Sequence, residues 1–102
     1  MESWGPSFVK MSKSLQIRIR GEVQGVGFRY WTVQQARLLG IRGYVRNLPE
    51  GSVEVLAIGN SQVLNQFCEI LRQGPMLAQV DTLDAIEVPE PPYFDTFRIL
   101  YG

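Results

Sequence analysis

Between Leu15 and Tyr101 the apolar spacing switches from two residues to the helical period and back, twice. The order of those switches leaves few folds open. Leu15, Ile17, Ile19 and Val23 alternate with Gln16, Arg18, Arg20 and Glu22, the pattern of a half-buried strand, until Gly21, Gly25 and Gly27 break it. Phe28, Thr32, Ala36 and Leu39 then follow at spacings of four, four and three, which predicts a short amphipathic helix. Gly40 suits the position just past its end. Arg42 to Asn47 and Ser52 to Ile58 read as a hairpin joined by Leu48-Pro49-Glu50-Gly51. A second helix is expected from Ser61 to Gly74, capped by Asn60 or Ser61. Val63, Leu64, Phe67, Cys68, Ile70 and Leu71 form its apolar stripe. Gln79 to Val88 is a strand whose alternation slips near Ala85-Ile86, as at a bulge. Pro89, Pro91 and Pro92 stiffen the next connection, and Phe97, Ile99 and Tyr101 mark a last short strand.

The order is therefore β-α-β-β-α-β with one extra C-terminal strand. Such a chain packs two helices on one face of a mostly antiparallel sheet. Right-handed crossovers place the first and third strands side by side in its middle. This predicts an α+β, ferredoxin-like sandwich. With 102 residues there is room for one domain, expected over 14–102. Residues 1–13 lack periodicity and are expected to be a flexible leader. On the third strand, Glu54, Leu56 and Ile58 should face away from the helices. Two exposed aliphatics there would favour a weak homodimer over a monomer.

This architecture serves enzymes, RNA binders and regulatory modules alike, so function has to be read from residues. The net charge of zero argues against nucleic acid as a partner. The distribution is uneven: residues 1–50 hold eight Lys/Arg against three acids, and residues 51–102 hold two against seven. A small anion would be drawn to the first half, unless the charges fold back to cancel. No apolar run is long enough for a bilayer, no signal-type segment opens the chain, and the single cysteine cannot form an internal disulfide. A cytoplasmic protein is expected. The chain has no histidine, and Cys68 sits mid-helix, more suited to packing than to reactivity. No Cys/His/Asp cluster is present that could hold zinc.

The informative stretch is Gly21-Glu22-Val23-Gln24-Gly25-Val26-Gly27-Phe28-Arg29, between a strand and a helix. Glycines there free the backbone to turn N–H groups inward, and the helix N-terminus adds partial positive charge. Together they suit a phosphate group, and Arg29 can add a two-pronged contact. A tight turn is the equally plain alternative. The stretch is neither a P-loop, lacking Gly-Lys-Ser/Thr, nor a dinucleotide fingerprint, lacking the third glycine.

Gly21 to Tyr30 resembles the first signature of the acylphosphatases. Gly40-Ile41-Arg42-Gly43-Tyr44-Val45-Arg46-Asn47, continuing through Glu50 to Glu54, resembles the second, and Gly74 to Asp81 resembles the turn before that family's fourth strand. The resemblance spans about Leu15 to Tyr101. It implies hydrolysis of an acyl phosphate to a carboxylate and inorganic phosphate, without metal or cofactor. By position, Arg29 would bind phosphate, the backbone of Gln24, Gly25, Val26, Gly27 and Phe28 would form the cradle, and Asn47 would orient the attacking water. Partners would be the small substrate and phosphate alone, with neither nucleic acid nor membrane.

The plainer readings are a surface ion pair for Arg29 and a turn role before Pro49 for Asn47. Tyr30 and Trp31 are packing or rim residues, either of which can line an acyl-group pocket. An RNA-recognition module would need aromatics on the third strand, and Ser52 to Ile58 has none. A non-catalytic ligand-binding domain would not need Arg29 and Asn47 together. A copy of the similar domain in carbamoyltransferases that mature hydrogenases is the remaining alternative.

Overall fold

The computed structural model describes residues 12–101. The chain forms β1 (Ser12–Glu22), α1 (Phe28–Leu38), β2 (Arg42–Asn47), β3 (Val53–Asn60), α2 (Ser61–Gln73), β4 (Gln79–Glu87) and β5 (Phe97–Ile99). The sheet order is β4-β1-β3-β2-β5, with β1 and β3 side by side in the middle as the crossover argument requires. All pairs are antiparallel except β2 with β5. The fold is the expected α+β, ferredoxin-like sandwich. Most of the expected leader, 1–13, lies outside the described residues; its last two, Ser12 and Lys13, already pair with Asn60 and Gly59 as part of β1.

Both helices cover the same face. Ile17 and Ile19 of β1, Val53, Val55 and Ala57 of β3, Val45 of β2 and Phe97 of β5 are sealed beneath them. From above come Phe28, Val33 and Ala36 of α1 and Leu64, Phe67 and Leu71 of α2. Phe67 and Phe97 meet edge to face at 6.1 Å, joining α2 to the extra strand. A fully buried side chain of this kind contributes roughly 1.5–3 kcal/mol, so the two layers are held mainly by this seam. Asn60 caps α2, its side-chain oxygen accepting from the Gln62 N–H at 2.8 Å. Gly40 adopts φ 71°, as expected just beyond α1.

Two expectations need correction. The irregularity in β4 is not at Ala85-Ile86, where pairing with Ile17 and Gln16 runs on evenly. The register shifts lower down: Arg20 pairs with Thr82 but Gly21 with Val80, leaving Asp81 as the extra residue. The bulge brings the β4 backbone so close to Gly21 that a Cβ there would lie 2.1 Å from the Gln79 carbonyl oxygen. Secondly, Leu56 and Ile58 do point away from the helices but are not exposed, at 2% and 5%. Gln16 and Tyr44 flank Leu56 across the strands, and Ser14 and Arg42 flank Ile58. The connection 88–96 runs beside them, with the Phe94 ring centroid 5.6 Å from that of Tyr44 and the Phe94 carbonyl accepting from Arg42 at 3.0 Å. The argument for self-association from exposed aliphatics therefore falls.

Candidate phosphate site

The site forms where β1 gives way to α1. Val23, sealed in the core, ends the strand side, and Phe28, equally buried and edge-on to Trp31 at 5.4 Å, anchors the first helical turn. Between these two fixed points the backbone must reverse within four residues. Gly25 and Gly27 do this in left-handed conformations, φ 74° and 79°. Gly27 is the N-cap of α1 and has no side chain to cap the helix. Its carbonyl accepts from the Trp31 N–H at 3.1 Å, so the N–H groups of the first turn are left without intrahelical acceptors. No acidic residue lies in that turn to neutralise its partial positive charge.

Arg29 leaves from this turn into a cleft of about 100 Å³. Gly25, Gly27 and Phe28 line one side of it, Asn47 another, and Ile99 and Tyr101 a third. Pockets that enclose a whole drug-sized ligand run to roughly 300–1,000 Å³, so this cleft suits a compact head group whose remainder projects outward. Arg29 takes part in no ion pair among the described residues. Its guanidinium instead lies 5.5 Å from the Tyr101 ring centroid. Five of the other seven arginines are ion-paired among the described residues, but only two of those pairs join the basic first half to the acidic second half. Arg20 pairs with Asp84 at 3.3 Å and Arg46 with Glu54 at 2.6 Å, both on the outer face of the sheet.

Asn47 ends β2, opposite Val53. Its side-chain oxygen is buried with no hydrogen-bond partner among the described residues. A buried acceptor left open is destabilising by about 1–3 kcal/mol; Thr32 Oγ1 and Arg18 Nε are open in the same way, and of the three residues only Asn47 lines the cleft. The hairpin turn beside it is ordered internally. Leu48 N–H donates to the Ser52 carbonyl at 2.9 Å and Gly51 N–H to the Leu48 carbonyl at 3.1 Å. The Ser52 hydroxyl donates to the Glu50 carboxylate, and that bond above all holds the Glu50 carboxyl below its ordinary range.

Of the residues expected from sequence, Gly25, Gly27, Phe28, Arg29 and Asn47 line one cleft. Gln24 and Val26 are not among its lining residues, but the part expected of them is a backbone one and only their side chains are seen to turn elsewhere. Val26 packs on the core, and the Gln24 side chain turns to the β2–β3 hairpin. Tyr30 lies on the rim, exposed, whereas Trp31 packs inward. Ile99 and Tyr101 were missed as site residues; their alternation marked a strand, but nothing in the sequence reveals that it docks beside Arg29. Among the described residues no group of three His, Cys, Asp or Glu is placed to hold a metal, and no helix is long and apolar enough to cross a membrane.

Residues 15–99 match the family model for Acylphosphatase. The chain is 42% identical over 88 residues to an acylphosphatase from Archaeoglobus fulgidus, covering 86% of this chain and 98% of that one. It is 50% identical over 84 residues to an acylphosphatase from Yersinia pseudotuberculosis, covering 81% and 90%. The solved structure of an acylphosphatase from Coxiella burnetii superposes with a TM-score of 0.85 at 32% identity, covering 90% of this chain and 96% of that one.

Proposed function

Since this chain belongs to the acylphosphatase family, we propose that it hydrolyses acyl phosphates in the cleft between α1 and the end of β2. The single observation that carries the reading is that Asn47 lines the same small cleft as Arg29, which has no ion-pair partner among the described residues. Asn47 brings an amide that can both donate and accept, suited to holding a water, and Arg29 a cationic donor suited to phosphate.

In this reading the phosphoryl group seats on the backbone N–H groups from Gln24 to Phe28, with Arg29 supplying a two-pronged contact. Asn47 Oδ1 accepts a hydrogen bond from a water and aims its oxygen at phosphorus. As the water oxygen bonds to phosphorus, the bond from phosphorus to the acyl oxygen breaks, and its electron pair leaves on the carboxylate. Both water protons stay with the phosphate, one transferred to a phosphoryl oxygen of the substrate itself. Fixed N–H dipoles and the guanidinium stabilise the charge that develops on the phosphoryl oxygens. The carboxylate is a good leaving group, so positioning and electrostatics can supply the catalysis without a metal. The acyl portion projects past Tyr30 and Tyr101, and the cleft's small volume leaves its identity open to a range of short acids.

The test is hydrolysis of benzoyl phosphate in excess chelator by the unaltered chain, Arg29→Ala and Asn47→Ala. Activity that persists with chelator and is lost in both variants is the expected result. Near-normal turnover by Arg29→Ala would overturn the assignment.

A further inference from the structure

The two protons of the Gln24 side-chain amide are both engaged outside the cleft, at a point that joins its two walls. Nε2 donates to the Leu48 carbonyl at 2.8 Å and to the Ser52 carbonyl at 2.9 Å. Carbonyls only accept, so the nitrogen rather than the oxygen of the amide must face them. Leu48 directly follows Asn47, and Ser52 directly precedes Val53, the register partner of Asn47. The two carbonyls therefore bracket the residue pair from which the Asn47 side chain projects. Gln24 itself directly precedes Gly25, the first glycine of the cradle.

The turn does not depend on this amide for its own closure, since both carbonyls already accept a hairpin N–H. Nor does the cradle reach the hairpin in another hydrogen-bonded way: among the described residues no backbone bond joins 24–27 to 47–53. The amide is an added link between two segments that are each formed without it. Its effect is on their separation.

We propose that Gln24 is a positioning residue, its side chain setting the distance between the phosphate cradle and Asn47. This rests on the function proposed above, in which phosphate sits on one wall and the attacking water on the other. An in-line attack tolerates little error in that distance, and a displacement of about 1 Å can lower a rate on the order of a hundredfold. Phosphate binding makes a smaller demand, because the glycine loop and Arg29 travel together on one side of the link.

The experiment is a double-mutant cycle on benzoyl phosphate hydrolysis, with inorganic phosphate as competitive inhibitor to report on the cradle. Gln24→Met keeps the length of the side chain and removes both donors; Gln24→Asn keeps the amide but shortens its reach. With Asn47 intact, either variant is expected to lower kcat about 10- to 100-fold while the inhibition constant for phosphate moves less than about threefold. In an Asn47→Ala background the same change should lower kcat by no more than about twofold, since no positioned water remains to misplace. Equal losses in both backgrounds, or weakened phosphate binding at unchanged kcat, would overturn the proposal. So would failure of both variants to fold, which would make Gln24 a stability residue. Full turnover by Asn47→Ala alone would remove the water-orienting reading itself, and this proposal with it.

Discussion

The Arg29 guanidinium carbon lies 5.5 Å from the centre of the Tyr101 ring, on the cleft side of the sheet. An aromatic face steadies a cation without neutralising it, whereas a carboxylate at that place would compete with the substrate's phosphate.

Loss of that ring should therefore weaken phosphate binding and leave the chemical step alone. An exposed cation–π contact contributes about 0.5–1 kcal/mol. Tyr101→Leu is expected to raise both KM and the inhibition constant for phosphate about two- to fivefold at constant kcat, and Tyr101→Phe to behave as the unaltered chain. A Leu variant with normal KM would show that the ring is incidental.

Asn47 should show opposite effects on rate and stability. Removing a positioned group of this kind lowers kcat roughly 100- to 1,000-fold. Its oxygen has no hydrogen-bond partner among the described residues, so Asn47→Ala also removes a buried open acceptor. Its melting temperature is expected to equal or exceed that of the unaltered chain, a trade between activity and stability seen where active sites hold strained groups. Thermal unfolding beside steady-state kinetics checks both halves, and a marked drop in melting temperature would argue for a structural role.

The glycines separate into two kinds. A Cβ on Gly27 meets nothing within 4 Å, so Gly27→Ala suffers only from φ 79°, about 1–2 kcal/mol of stability. It should fold and bind phosphate less well. A Cβ on Gly43 would lie 1.8 Å from the Leu56 carbonyl oxygen, inside the β2–β3 ladder. Gly43→Ala is expected to yield little folded protein, as circular dichroism of the two variants side by side would show.

Glu50 makes a prediction with a definite sign. Its carboxyl is held below the ordinary range, first by the Ser52 hydroxyl and more weakly by Arg18 and Arg20. A folded pKa lower than the unfolded one adds stability above the unfolded value, and that stability is lost as pH falls through the folded value. The unaltered chain should thus melt above Glu50→Gln at neutral pH, by a small margin because the group is exposed, and the two curves should converge as the pH drops below about 4. A margin that persists at lower pH would contradict the linkage.

The sequence revealed most where one physical cause acts alone. Alternation and helical spacing marked every strand and helix, because each element turns a periodic set of apolar residues toward the layer it packs on. Gly40 and Asn60 marked helix ends through backbone freedom and capping. The bulge was misplaced because β4 is an edge strand. Val80 and Leu83 both turn toward the helices with two residues between them, and exposed Ile86 imitated a slip where there was none. Leu56 and Ile58 were misread because strand alternation tells which face a side chain takes, not what lies across that face. In the cleft, the glycines, Arg29 and Asn47 were legible through a resemblance in two separated motifs. The approach of Tyr101 and the reach of Gln24 to the hairpin were not, because both join segments distant in the chain and neither changes any local pattern.

The strand order has a consequence for how quickly this protein forms. Only β2 and β3 are neighbours both in the sheet and along the chain; β1 with β3, β1 with β4 and β2 with β5 all join segments separated by at least one helix or strand. Each of these pairings must close a long loop before any contact rewards it, so the search for the native topology, rather than local helix formation, sets the pace. Refolding should be slow beside that of a helical bundle of equal length. The cleft, drawing on β1, α1, β2 and the last strand, exists only once that search has ended.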